Sequence, residues 1–371
     1  MVDSRVGKLA GVLVNYSVGI RPGDKVMIQA GSIAAPMTKA LLVAVLEAGG
    51  HPFTRVSLDG AQELMYRHAS DEQLLHVPEP LKLVYETYDA LISVGSATNT
   101  KALTGVPPEK VRLSSQGQKD LFKTFIERSA AGELRWVGCL YPTNAYAQDA
   151  EMSLTDYADF VYGACLPNLE DPIGYWKGFS KQQQKIVDWL KGKESVRVEG
   201  PGIELRLSIA GRTFENCDGK KNMPDGEVFT GPVEESVEGH VRFSYPTVYC
   251  GRRIESVELW FEKGKVIKAS ADKGEDFLLE TLETDEGARY VGEFAIGTNE
   301  GITRATGNTL FDEKIIGSFH MALGAGMPET GSRNESAIHW DMVSDLSDGG
   351  RIWVDDELFY ENGKFAIDVD G

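Results

Sequence analysis

His320-Met-Ala-Leu-Gly324-Ala-Gly-Met327-Pro-Glu-Thr-Gly-Ser-Arg-Asn334-Glu-Ser-Ala-Ile-His339-Trp-Asp341 is the stretch on which the reading of this chain turns. It holds two of the six histidines. If its end is extended, His339 and Asp341 point to one face, because strand side chains alternate with period two. An imidazole and a carboxylate side by side on a strand are two preformed metal ligands. His320 is a third, brought back by an excursion rich in Gly and containing Pro328. A lone His-x-Asp more commonly makes a surface hydrogen bond, so its context decides.

That context is acidic. Asn222-Met-Pro-Asp225-Gly-Glu227-Val-Phe-Thr230 places a carboxylate between a glycine and an apolar strand, and Val291-Gly-Glu293-Phe-Ala-Ile-Gly297 does the same. Leu310-Phe-Asp312-Glu313-Lys314 lies just ahead of His320. Any one glutamate on an apolar strand reads as solvent-facing. Several beside two histidines make up the inventory of a dinuclear site, in which carboxylates bridge and cap two metals about 3.5–4 Å apart. Mixed nitrogen and oxygen donors suit zinc, cobalt or manganese.

The chain as a whole sets bounds. Its 371 residues point to two domains. A formal charge of -18 repels phosphate backbones, which argues against nucleic acid and is compatible with divalent cations. Cys139, Cys165, Cys217 and Cys250 form no CxxC pair and fit a reduced, cytoplasmic protein. Met1-Val-Asp-Ser-Arg5 does not open a secretory signal, and no apolar run approaches the ~20 residues of a membrane helix.

Residues 1–194 read as an α/β domain with a parallel sheet. Strands are expected at 25–30, 51–58, 89–95 and 134–141, and helices at 5–18, 35–47, 108–131, 157–165 and 175–191. Gly31-Ser32 before a helix lacks the GxGxxG spacing of a nucleotide cradle. The texture changes near Ser195. Residues 195–371 alternate with period two at 196–200, 203–209, 241–243, 254–261 and 265–271, and end in a hairpin with an Asn362-Gly363 turn. This second domain is expected to be α+β, mainly antiparallel, and to carry the metal site, with 274–283 as its one clear helix.

Four motifs occur in order: Pro224-x-Gly-Glu227-Val-Phe-Thr, Gly292-Glu293-x-Ala-x-Gly, Phe311-Asp-Glu313 before His320-x-Ala-Leu-Gly, and Asn334-x-Ser-x-x-His339-x-Asp341. Together they resemble the thermophilic aminopeptidase T family of dinuclear metallo-aminopeptidases. The resemblance implies two divalent ions (Zn, Co or Mn) held by Glu227, Glu293, Glu313, His320, His339 and Asp341. Glu293 would be the bridging carboxylate, and Glu293 and Glu313 are the catalytic candidates. Glu313 stands farther from His320 than its counterpart does in the best-known members. The resemblance also implies a homodimer, short peptides with a free N-terminus as substrates, and hydrolysis by a metal-activated water.

One position departs from the family. A tyrosine commonly follows the His-x-Ala-Leu-Gly segment, and this chain has Met327, whose thioether donates no hydrogen bond. Tyr245, Tyr249 and Arg304 are the candidate substitutes. Two other chemistries share the scaffold. A ring-cleaving dioxygenase would hold one iron on His320, His339 and Asp341, but would not need both Glu227 and Glu293. A metal-stabilised peptide-binding relative would keep the metals without turnover.

Overall fold

A computed structural model describes residues 3–368. Its contacts form two compact units, one running to Ile173 and including Gly219–Pro224, the other made of Gly174–Asp218 and the chain from Asp225 onward. The expected division was a single cut between 194 and 195. Instead, nearly all of the long helix Pro172–Leu190 belongs to the second unit, because its Ile186 and Leu190 are part of that unit's apolar core. Gln183 of the same helix is buried there, donating to the Asn216 side chain and the Cys217 carbonyl at 2.8 Å each.

In the first unit, β1 (Lys25–Gly31), β2 (His51–Ser57), β3 (Ala90–Gly95) and β4 (Arg135–Leu140) pair in parallel in the order β2-β1-β3-β4. Asn222–Met223 adds a short parallel edge beyond β4. Met27, Leu91 and Trp136 stand in register on one face and pack with Val84, Leu134 and Phe125. Val26, Ile28, Ile92 and Val137 fill the other. Strands buried on both faces are the signature of a parallel sheet between helices. The single helix expected over 108–131 is two, Pro108–Gly117 and Lys119–Ala130. Gly117 lies so close to the Leu75 carbonyl that a Cβ there would sit 2.6 Å from its oxygen. Residues 59–88, which carried no expected element, form the helices Ala61–His68, Asp71–Leu75 and Glu79–Thr87.

The second unit holds an eight-stranded antiparallel sheet with Ser195–Gly200 and Ile203–Ser208 at its centre and the Asn362-Gly363 hairpin at one edge. The single strand expected over 254–261 is two, Arg252–Ile254 and Glu258–Glu262, separated where Ser256 takes a φ of 55°. The helix expected at 274–283 spans Glu275–Thr281.

The remaining sheet of this unit is the one that matters for function. Its strands are β5 (Glu215–Cys217), β6 (Glu227–Thr230), β7 (Val291–Gly297), β8 (Ser318–Gly324) and β9 (His339–Asp345), antiparallel throughout in the order β9-β8-β7-β6-β5. Alternation divides their side chains between two faces, with one register shift between Val291 and Glu293. Val228, Phe294, Ile296, Phe319, Met321, Leu323, Trp340 and Met342 all enter the apolar core. Each such side chain contributes about 1.5–3 kcal/mol when fully buried. That burial fixes the register, since a slip of one residue would exchange the two faces.

Candidate metal centre

The opposite face of that sheet carries the chemistry. Glu227 pairs with Cys217 on one side and Gly297 on the other. His320 lies between Ala295 and Val343, Asp341 is separated from Glu293 by Ala322, and His339 faces Gly324. Acidic and imidazole side chains thus alternate with alanine and glycine across four strands. The small residues leave open space above the sheet where the longer side chains converge. Glu313 arrives from outside the sheet, directly after the short helix Thr309–Asp312. Asp312 ties that turn down, accepting from the Thr306 amide and hydroxyl at 2.7 and 2.8 Å and from the Gly307 amide at 2.8 Å.

All six expected site residues come together. Donor atoms of Glu227, Glu293 and His320 lie within 4.8 Å of one another, as do those of Glu293, His339 and Asp341, and those of Glu313, His320 and Asp341. Glu293 belongs to both of the first two groups. His320 Nε2 is 3.1 Å from Glu293 Oε1 and 3.4 Å from Glu227 Oε2. His339 Nδ1 lies 2.8 Å from the Ala325 carbonyl. If it carries the proton, it donates to that oxygen and leaves Nε2 to face Glu293 and Asp341, 3.5 Å from each. Such an outer hydrogen bond fixes the tautomer that a ligating histidine needs.

The electrostatics are those of carboxylates crowded in a dry place. Burial pushes Glu227 up to about 8, with Lys314 pulling in the opposite direction. Burial also raises Glu313. Burial acts against a charged His320, but the hydrogen bond it donates to Glu293 and the nearby carboxylates raise it to about 9. His339 goes up to about 10, burial again being outweighed, here chiefly by Asp341. Asp341 is lowered, because His339, His320 and Lys314 overcome its burial. In the absence of cations, protons neutralise part of the cluster.

Two residues of the site were not expected from the sequence. Lys314 is fully buried, forms an ion pair with Glu313, and stands 3.5 Å from Glu227 Oε1. Burial opposes its charge, but Glu227, Glu313 and Asp225 hold it well above the ordinary lysine range. Cys217 forms a further donor group with Asp225 and Glu227. The sequence signal for Lys314 was proximity alone, since it follows Asp312-Glu313, and Cys217, ten residues ahead of Glu227, gave none. Among the expected substitutes for the missing tyrosine, Tyr249 stacks on Trp340 with ring centroids 5.0 Å apart, and burial raises its hydroxyl above the ordinary tyrosine value. Arg304 is exposed.

A sequence model of the thermophilic metalloprotease (M29) family matches residues 2–365. The chain belongs to that family. Among curated proteins it is similar to aminopeptidase T of Thermus thermophilus, at 27% identity over 96% of this chain and 95% of that one. It is also similar to aminopeptidase 2 of Geobacillus stearothermophilus, at 26% identity over 99% of each. Among solved structures, wild-type AmpT from Thermus thermophilus superposes with a TM-score of 0.85 at 24% identity, covering 98% of this chain and 99% of that one. A 2,5-dihydroxypyridine dioxygenase from Pseudomonas putida shares the fold with a TM-score of 0.63 at 14% identity, each chain fully covered. Family membership makes the protein a metalloprotease by descent, and the clustered ligand types are those such a protease requires.

Proposed function

We propose that this protein is a metal-dependent aminopeptidase that releases N-terminal residues from short peptides. Two divalent cations would be held by Glu227, Glu293, Glu313, His320, His339 and Asp341. The observation that carries this reading is the double membership of Glu293, which stands between Glu227 and His320 on one side and His339 and Asp341 on the other. A carboxylate so placed is the one that two cations would share. The donor set fits cations in a second respect. Glu227 Oε2 and Asp341 Oδ1 are buried without a hydrogen-bond partner among the described residues. An orphaned buried carboxylate oxygen is costly, and a cation would satisfy it. The names of the curated relatives support an exopeptidase acting at a free N-terminus.

Bound cations would supply Lewis acidity toward the peptide carbonyl and lower the pKa of an attacking water. The chain's own residues do the rest. The Ala325 carbonyl holds the His339 ring in place. Glu313 lines a narrow cleft with Asp341, Val248, Gly307 and Thr309, so it is the carboxylate placed to pass a proton to the departing amine. Tyr249, which feels the charge of Asp341, is the candidate for the hydroxyl that Met327 cannot supply. Oxygen and nitrogen donors favour zinc, cobalt or manganese.

Elemental analysis of gently purified protein, paired with an aminoacyl-amide hydrolysis assay before and after chelation, tests the reading. Two such ions per chain with chelator-sensitive hydrolysis are expected. One iron per chain, or two ions with no hydrolysis on any peptide, would overturn it.

A further inference from the structure

The cleft that Glu313 and Asp341 share is small enough to choose its occupant. Its volume is about 10 Å³, the room of a single water molecule or methyl group. Pro246, Val248 and Val343 supply its apolar lining, and Gly307 lines it without a side chain. Val343 follows Asp341 by two on β9 and so shares its face. Residues 245–247 are fastened to that strand twice. The Tyr245 amide donates to the Val343 carbonyl at 3.2 Å, and the Thr247 hydroxyl donates to the Asp341 carbonyl at 2.9 Å. Thr247 Oγ1 also accepts from the buried Trp340 indole N–H at 3.0 Å. Between these fastenings Pro246 has a φ fixed by its ring. Gly307 is held by its own amide, which donates to Asp312 at 2.8 Å. The cleft therefore cannot widen at these points without breaking hydrogen bonds.

For a peptide to be cut after its first residue, that residue must come beside Glu313 and Asp341. The apolar lining suits its side chain, since a charged amino group set against it would be left unpaired. We propose that the cleft receives the side chain of the substrate's N-terminal residue and restricts it to glycine or alanine, with Val248 setting the limit. A hydrogen or a methyl fits, whereas the larger side chains of leucine and phenylalanine overfill the space. Val248 is the adjustable part of the lining. It is half-buried on the strand Thr247–Tyr249, and its side chain takes no part in the fastenings. This inference rests on the aminopeptidase reading above.

The test compares alanine, leucine and phenylalanine amides as substrates of the metal-loaded protein. Alanine is expected to exceed leucine in kcat/KM by roughly 10²-fold, the order that a methylene too many costs in an apolar pocket. Calorimetry with alaninol and leucinol, amines that keep the side chain and cannot be hydrolysed, should show the same preference as a Kd ratio of about tenfold or more. Val248→Gly should raise the leucine-to-alanine ratio about tenfold in both measurements, with its metal content matching wild type by elemental analysis. Leucine handled as well as alanine by the wild-type protein overturns the proposal while leaving the aminopeptidase reading in place, and so does an unmoved ratio in Val248→Gly. No hydrolysis of any amide overturns the aminopeptidase reading itself, and this inference with it. If Val248→Gly does not fold, Val248→Ala and the wild-type measurements decide the matter.

Discussion

Single side chains differ widely in how plainly the sequence announced them. His339 and Asp341 were legible because they sit two apart on a strand and must share a face. Glu227 and Glu293 were legible through motif context, each preceded by a glycine and followed by apolar residues. Lys314 was not. In Asp312-Glu313-Lys314 it reads as one charge in a solvated run, and only tertiary enclosure turns it into a buried cation. The same enclosure makes residue-scale tests sharp. His339→Ala is expected to lower bound metal by one ion per chain by elemental analysis, because it removes a donor from the Glu293 and Asp341 group. Tyr249→Phe should keep both ions and the fold while lowering kcat on an aminoacyl amide by roughly 10²-fold, the usual loss for one hydrogen-bond donor to a developing oxyanion. Unchanged kcat would assign that donor elsewhere.

At the scale of the strand, the site depends as much on what is small as on what is charged. Ala322 stands in register between Glu293 and Asp341. Ala322→Leu should therefore fill the space above the sheet and abolish metal uptake, with circular dichroism showing the fold retained. Gly324 faces His339 with a φ of 100°, and a Cβ there would meet the Ile338 carbonyl oxygen at 2.2 Å. Gly324→Ala should cost about 2 kcal/mol or more of stability in denaturant titration. These strands were hard to recognise by alternation. β7 and β8 are buried at every position, so polarity does not follow solvent exposure, and their polar alternates face a site rather than water. The parallel strands of the first unit were easier, since continuous apolar runs between helices have few other readings. Its helices at 61–87 went unread because they are short and each buries only one residue, leaving almost no apolar stripe.

For the whole molecule, protons and cations compete for the same atoms. Without metal, Glu227, His320 and His339 titrate at about 8, 9 and 10. At neutral pH all three carry protons that a bound cation must displace. Metal uptake should therefore release protons near pH 7, weaken as pH falls, and lose its proton release above about pH 10. Calorimetry in buffers of different ionisation enthalpy measures this directly. The same shifts bear on stability. A folded-state pKa raised above its unfolded value contributes stability that is present below the unfolded pKa and lost as pH rises through the folded one. Chelator-stripped protein should accordingly lose Tm between about pH 5 and pH 10, first through Glu227 and then through the two histidines. Metal-loaded protein should hold its Tm better, since a ligand bound only by the native state adds about 4 kcal/mol at a thousand times its Kd. A Tm gap that narrows toward alkaline pH would contradict this.

Five of the six candidate ligands come from four strands of one sheet, with Glu313 reaching in from outside it, and the register of that sheet joins residues as far apart as Glu227 and Gly297. No single hairpin of the chain holds a complete set. The metal is therefore a late arrival in the life of the polypeptide. A zinc finger cannot fold until its ion binds, whereas here the ion has nowhere to bind until a sheet of distant pairings has closed. A cell could make this protein in a metal-poor moment, store it folded and silent, and switch it on when the metal comes.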